Sequence, residues 1–138
     1  MPREIREFTE TWLDRAFEKA LKKLGHKDKE TLSQRLAALL ALLGECRHPI
    51  TDPSLSAFRP TPYRVSLRSP GARLAEYRLG DRCRVIAAYF ESTDEILLVA
   101  ITLDHDHTRL KVLVERFDAS SGRPDPKKET ESDDTGAS

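Results

Sequence analysis

Lysine is missing from the middle of this chain: none occurs between Lys29 and Lys111. The cations of that stretch are arginines, whose planar fork of donors matches a phosphate where lysine offers only a point charge. Residues 47–88 carry eight arginines against three carboxylates, and residues 89–118 carry three cations against seven carboxylates. A formal net charge of zero therefore hides a basic middle followed by an acidic stretch. An arginine-only middle points to phosphate contact, although a genome that favours arginine codons leaves the same mark.

Cysteine is scarce as well. Cys46 and Cys83 are the two in 138 residues, too few for a disulfide framework, and they read as reduced thiols of a cytosolic protein. Cys83 stands among arginines, which lower a thiol pKa, so a reactive thiol is the alternative. Long apolar runs are absent: nothing approaches the roughly 20 residues of a membrane span. Met1-Pro-Arg-Glu-Ile-Arg-Glu7 is not followed by an apolar signal-peptide core. The expected location is the cytoplasm, with no membrane partner. There are no internal repeats, and no His or Cys cluster at ligand spacing, so neither a metal nor another cofactor is expected.

Periodic patterns supply the elements. Residues 3–8 alternate weakly and predict a short first strand. Trp12, Leu13, Ala16, Phe17, Ala20, Leu21 and Leu24 recur at steps of three and four, the stripe of a helix capped by Thr9 or Thr11 and ended by a left-handed Gly25. Leu32, Leu36, Leu39, Leu40 and Leu43 form a second stripe, ended by Gly44. The short connection makes the two helices an antiparallel hairpin. Pro49, Pro53, Pro60 and Pro62 predict an extended connector without regular structure. Strands follow at 63–67, 74–79, 84–90 and 96–103, the last apolar almost throughout, as in a strand covered on both faces.

A closing helix begins at Asp106 or His107, with Leu110, Leu113, Val114 and Phe117 inward. From Ala119 the chain turns to Ser, Gly, Pro, Lys, Glu and Asp, which cannot offset ordering entropy. The expectation is one α+β domain over 1–118, with an N-terminal helical hairpin packed on a small antiparallel sheet and a short C-terminal helix, followed by a disordered polar tail over 119–138. The helix pair covers one face of the sheet and leaves the other open and concave.

Two arginines and two histidines carry the chemistry. Arg78 and Arg84 flank the turn signal Gly80-Asp81, and His105 and His107 end the last strand in Asp104-His-Asp-His107. Strand alternation puts both histidines on one face, a relation that fails if a helix begins at Asp106. Metal-free cleavage of RNA needs a base for the 2′-hydroxyl, cations for the charge that builds on phosphorus and an acid for the leaving oxygen. Histidine can be base or acid, worth about 10²–10⁴-fold, and arginine supplies the electrostatic part. Arg78 and Arg84 are candidates to hold the scissile phosphate, and His105 or His107 to move protons. The alternatives are arginines paired across strands with Glu76, Asp81 or Glu95, and a solvated strand end with a helix cap, or a metal site, at the histidines.

The phrase Tyr77-Arg-Leu-Gly-Asp-Arg-Cys-Arg-Val-Ile86 is similar to the arginine, glycine, turn, arginine-valine-isoleucine hairpin of the RelE/ParE superfamily of toxins from type II toxin–antitoxin systems. Ala100-Ile-Thr-Leu-Asp-His-Asp-His107 resembles that family's last strand, which often finishes in a histidine or arginine before the final helix. The resemblance covers about residues 3–117. It implies a helical hairpin on an antiparallel sheet and a cognate antitoxin as partner. It further implies endoribonuclease activity on mRNA in the ribosome for RelE-like members, or inhibition of DNA gyrase for ParE-like ones. Under it, Arg64, Arg73, Tyr77, Arg82 and Arg109 contact RNA beside the set Arg78, Arg84, His105 and His107. Tyr77 and Tyr89 either stack on bases or pack in the core. The chain departs from the pattern in its neutral charge, in Leu74-Ala-Glu76 where RelE-like members often carry lysines, and in having no tyrosine after Tyr89. A non-toxic binding module of the same fold is the remaining reading.

Overall fold

Three consecutive strands with apolar residues on both sides need cover on both faces, and this decides the architecture. The structure, a computed structural model, describes residues 2–63, 71–80, 82–103 and 107–121. Strands β1 (Glu4–Glu7), β2 (Thr61–Pro62), β3 (Ala72–Arg78), β4 (Arg84–Phe90) and β5 (Glu95–Thr102) form one mixed sheet in the order β1-β5-β4-β3-β2. The neighbours β2–β3, β3–β4 and β4–β5 are antiparallel, but β1 runs parallel to β5. That pair departs from the antiparallel sheet expected. The long crossover between the two strands, which contains helices, permits it.

Helices α1 (Arg15–Lys22) and α2 (His26–Glu45), with a short 3-10 helix at Pro53–Phe58, lie on one side of the sheet. Their Phe17, Leu39, Leu43, Leu55 and Phe58 join Tyr77, Val85, Ala87, Ile96, Leu98 and Ile101 in one core. Helix α3 (His107–Ser121) covers the other side. Its Leu110, Leu113, Val114 and Phe117 pack with Leu74, Ile86, Ala88, Val99 and Ala100, and Phe8 meets Phe117 edge to face at 5.3 Å. The second face is thus covered rather than open. Burying each large apolar side chain of α3 is worth about 1.5–3 kcal/mol, which an open face would forgo.

Local chemistry moved several boundaries. The side chain of Asp14, not a threonine, caps α1 by accepting the Phe17 N–H at 3.0 Å. Thr11 is buried and donates its hydroxyl to the Val99 carbonyl. That carbonyl sits at a bulge in β5, where Ile86 pairs with Ala100 but Ala87 with Leu98. Gly25 precedes α2 with φ −66 and needs no left-handed freedom, and α2 continues through Gly44, whose carbonyl accepts the Arg3 N–H at 2.7 Å.

The proline-rich connector contains regular structure after all. Pro53 sits in the first turn of the 3-10 helix, where a missing N–H is harmless. Asp52 caps it, accepting from Ser54 and Arg47, and these bonds hold its carboxyl below the ordinary range. Of the strand expected at 63–67, residues 64–67 lie outside the described residues. α3 runs to Ser121, and the rest of the expected tail, 122–138, also lies outside them. No helix among the described residues is long and apolar enough to cross a membrane.

Candidate functional site

The turn from β3 to β4 sets one end of the sheet. Leu79 N–H donates to the Cys83 carbonyl at 3.0 Å, and Gly80 takes φ 154, a value L side chains rarely adopt. Across the strands, Arg78 pairs with Arg84 and Arg84 with Thr102. Directly opposed residues share a face, so these three form a row on the side that α3 covers.

Arg84 has a side chain only 4% exposed, with its Nε 3.3 Å from Glu76 Oε2. Its Nη1 donates to the carbonyls of Gly80 and Cys83, each at 3.1 Å. The guanidinium is therefore fixed: it braces the turn and places one positive charge at the strand ends. Thr102 is buried beside it, and its hydroxyl has no hydrogen-bond partner among the described residues.

Arg78 is exposed and reaches the rim, where a cleft of about 270 Å³ is lined by Arg35 of α2, Ala57 and Arg59 of the connector, Arg78 and Gly80. Among the described residues, none of these three arginines has a carboxylate within 4.0 Å. An apolar hollow of about 330 Å³ lies between α1 and α2, lined by Phe17, Leu21, Leu32, Leu36 and Ile101 among others. Its charged lining residues, Glu18 and Lys29, are of opposite sign, so it offers nothing to an anion.

The histidines divide. His107 is exposed and opens α3, while His105 lies outside the described residues together with Asp104 and Asp106. Since β5 ends at Thr102 and His107 is helical, strand alternation does not relate the two histidines. Among the described residues, no three His, Cys, Asp or Glu side chains are grouped to hold a metal ion.

The expected RNA-contacting set scatters. Tyr77 is 1% exposed in the helix-side core, its hydroxyl donating to the Pro49 carbonyl at 2.5 Å. Burial pushes its phenol up, and its ring offers no face to a base, which corrects the stacking role. Tyr89 is buried at the far end of the sheet and donates to Asp94 Oδ1 at 2.7 Å. Arg73, also at that end, pairs with Glu91 at 3.0 Å. Arg109 pairs with Asp14, the cap of α1, and so ties α3 to α1. Arg82 is exposed in the β3–β4 turn, and Arg64 lies outside the described residues.

Cys83 is buried, and burial pushes its thiol up to about 12 against the pull of Arg84 and Arg35. Such a thiol stays protonated at neutral pH, so the reactive reading falls. Sequence reasoning missed Arg35 and Arg59 as site residues. Arg35 lies three residues after Leu32 and four before Leu39, which put it at the flank of the apolar stripe. Nothing in the sequence announced that the connector would bring Arg59 beside it.

No protein-family model matches the chain, and no curated protein does. Among solved structures the chain is similar to an archaeal RelE–RelB complex from Pyrococcus horikoshii OT3. The TM-score is 0.46 and the identity 16%, over 78% of this chain and 99% of that one.

Proposed function

We propose that this protein is a RelE/ParE-like toxin that cleaves messenger RNA without a metal ion, in the cytoplasm and on the ribosome, and that a cognate antitoxin neutralises it. In this reading α1 and α2 are the helical hairpin of that fold, the toxin domain runs through the end of α3 at Ser121, and a polar tail follows. The supporting observation is the row Arg78, Arg84 and Thr102 at the end of the sheet, on the face covered by the helix that His107 opens.

The ribose 2′-hydroxyl attacks the adjacent phosphorus and gives its proton to a base. The bond to the 5′-oxygen breaks, that oxygen takes a proton from an acid, and a 2′,3′-cyclic phosphate remains. His107 fills one of these roles and His105 the other. Arg84 supplies a fixed charge that water does not dilute. Arg78, exposed and free to move, donates to the phosphate oxygens.

Induction without the antitoxin arrests growth, and primer extension on total RNA finds new 5′ ends within messages. Purified protein cuts mRNA when ribosomes are present. Arg78→Ala and the double substitution His105→Ala/His107→Ala relieve the arrest. Unchanged toxicity in both removes the catalytic reading.

A second reading, a gyrase inhibitor of the ParE kind, is favoured by one observation: Glu76 largely neutralises Arg84. It predicts arrest with DNA-damage signalling and intact messages.

A further inference from the structure

We infer that the cleft formed by Arg35, Arg59 and Arg78 is a second phosphate subsite, which holds a backbone phosphate of the RNA strand next to the one at Arg84. The inference rests on the RNA-cleaving reading for the identity of the strand. Its basis is separate.

The three arginines come from α2, the connector and β3, and they line one cleft of about 270 Å³. Bringing like charges together opposes folding, and several arginines elsewhere are offset by a carboxylate. Arg3 has Asp94, Arg73 has Glu91, Arg84 has Glu76 and Arg109 has Asp14. At the cleft no carboxylate lies within 4.0 Å of the three among the described residues. An anion from outside is the group that completes it.

The backbone gives the second observation. Arg59 takes φ 47, in the left-handed region, which is uncommon for a residue with a Cβ and concentrates at functional sites. The conformation is held in place: Arg59 N–H donates to Ser56 O at 3.1 Å, and the Thr61 hydroxyl donates to Arg59 O at 3.1 Å. Buried Leu55 and Phe58 anchor the turn that presents it. The fold thus holds a left-handed residue in the turn that brings Arg59 into the lining of the cleft.

The lining also sets the ligand class. It has cations and no aromatic ring, so it grips phosphate and ignores the base, as a contact that positions a strand without reading its sequence does. Arg78 belongs to the cleft and to the catalytic row alike, so the phosphate held in the cleft neighbours the scissile one along the strand.

The test is equilibrium binding of a short fluorescein-labelled 2′-O-methyl oligouridylate, which cannot be cleaved, read by anisotropy across a salt series. Arg35→Gln/Arg59→Gln is expected to bind about tenfold more weakly, with a shallower salt dependence by about 0.7 for one lost phosphate. Arg59→Gly keeps the left-handed turn without strain and loses the guanidinium, so it is expected to weaken binding while its thermal midpoint stays put. Binding by the double variant within twofold of the wild type overturns the inference. Full displacement of the oligonucleotide by inorganic phosphate at matched ionic strength also overturns it, because the cleft would then serve the free anion. A protein that cuts no RNA yet shows the tenfold loss forfeits the nuclease reading and keeps the subsite; one that cuts RNA with indifferent cleft variants does the reverse.

Discussion

At one end of the β3–β4–β5 sheet Arg3 and Arg73 each meet a carboxylate, while at the other three arginines line a cleft with none within 4.0 Å among the described residues. At the closed end, Arg3 Nε lies 2.8 Å from Asp94, and its Nη1 donates to the carbonyls of Leu43 at 2.7 Å and Cys46 at 3.0 Å. Its Nη2 donates to Arg47 O at 3.2 Å, so one side chain ties β1 to the last carbonyls of α2. Tyr89 adds a hydrogen bond to the same Asp94, and Glu91 lies between Arg73 at 3.0 Å and His48 at 3.8 Å. An arginine whose donors are all spent on the protein holds the fold. One that lines a cleft with no carboxylate within reach among the described residues is available to something else.

Breaking the closed end should show the largest effect. Arg3 has a side chain only 6% exposed, and Arg3→Ala strips partners from the end of α2 and from Asp94, so a loss of about 3 kcal/mol is expected. Urea unfolding reads it as a lowered midpoint with an unchanged slope. Arg78→Ala, at the open end, is expected within about 0.5 kcal/mol of the wild type while losing toxicity. Equal destabilisation by the two substitutions would erase the distinction between the ends.

Arg84 stands between the two cases, buried like Arg3 yet in the row with Arg78. Arg84→Met is expected to cost about 2–3 kcal/mol and to abolish activity. Glu76→Gln sharpens the point. It leaves Arg84 charged and less well paired, so stability falls by about 1–3 kcal/mol, but the positive field at the strand ends rises. Oligonucleotide binding by Glu76→Gln should therefore tighten as its urea midpoint drops. If binding weakens in step with stability, Arg84 serves the fold alone.

How far the sequence revealed this contrast depends on which residues decide it. The three long strands and α3 were legible because apolar runs of that kind have one use, and Leu110, Leu113, Val114 and Phe117 face inward as their spacing says. The opposition of Arg78 and Arg84 followed from the turn at Gly80. Of the two readings of Tyr77, the core one holds and the RNA contact falls, and the signal was present: it precedes Arg78 directly, and a strand sends neighbours to opposite faces. The bulge in β5 was illegible, since the unbroken apolar run from Ile96 to Ile101 shows no break in alternation. The cleft was illegible for a different reason. Arg35, Arg59 and Arg78 meet only through tertiary placement of a proline-rich connector, whose prolines start and end a 3-10 helix instead of preventing one.

The next effect is a response to pH at the helix-side core, where Cys83 and Tyr77 lie near the β3–β4 turn. Burial raises both groups, the thiol from 9.0 to about 12. The unfolded chain releases the thiol proton above pH 9, whereas the folded chain holds it, so the unfolded state binds fewer protons there. The stability due to these groups is complete below pH 9 and falls as pH rises beyond it, by up to about 1.4 kcal/mol per pH unit for each. Urea midpoints at pH 8 and 10.5 measure the fall, and Cys83→Ala should reduce it. An identical fall in that variant would assign the whole effect to other groups.

The smallest effect on stability is the most discriminating, because each end carries one non-glycine residue in the left-handed region: Arg59 at φ 47 and Asp94 at φ 56. Glycine relieves such a backbone by about 1 kcal/mol, and its extra freedom in the unfolded chain takes back about 0.4–1 kcal/mol. On the backbone alone the two substitutions nearly cancel, so any difference between them reports the side chain removed. Asp94→Gly deletes the acceptor of Arg3 and of Tyr89, and its midpoint should fall. Arg59→Gly deletes a guanidinium with no carboxylate within 4.0 Å among the described residues, and its midpoint should stay within about 0.5 kcal/mol of the wild type. A clear fall in Arg59→Gly would mean that Arg59 holds the connector in place, and the open end would then be built for stability as the closed end is.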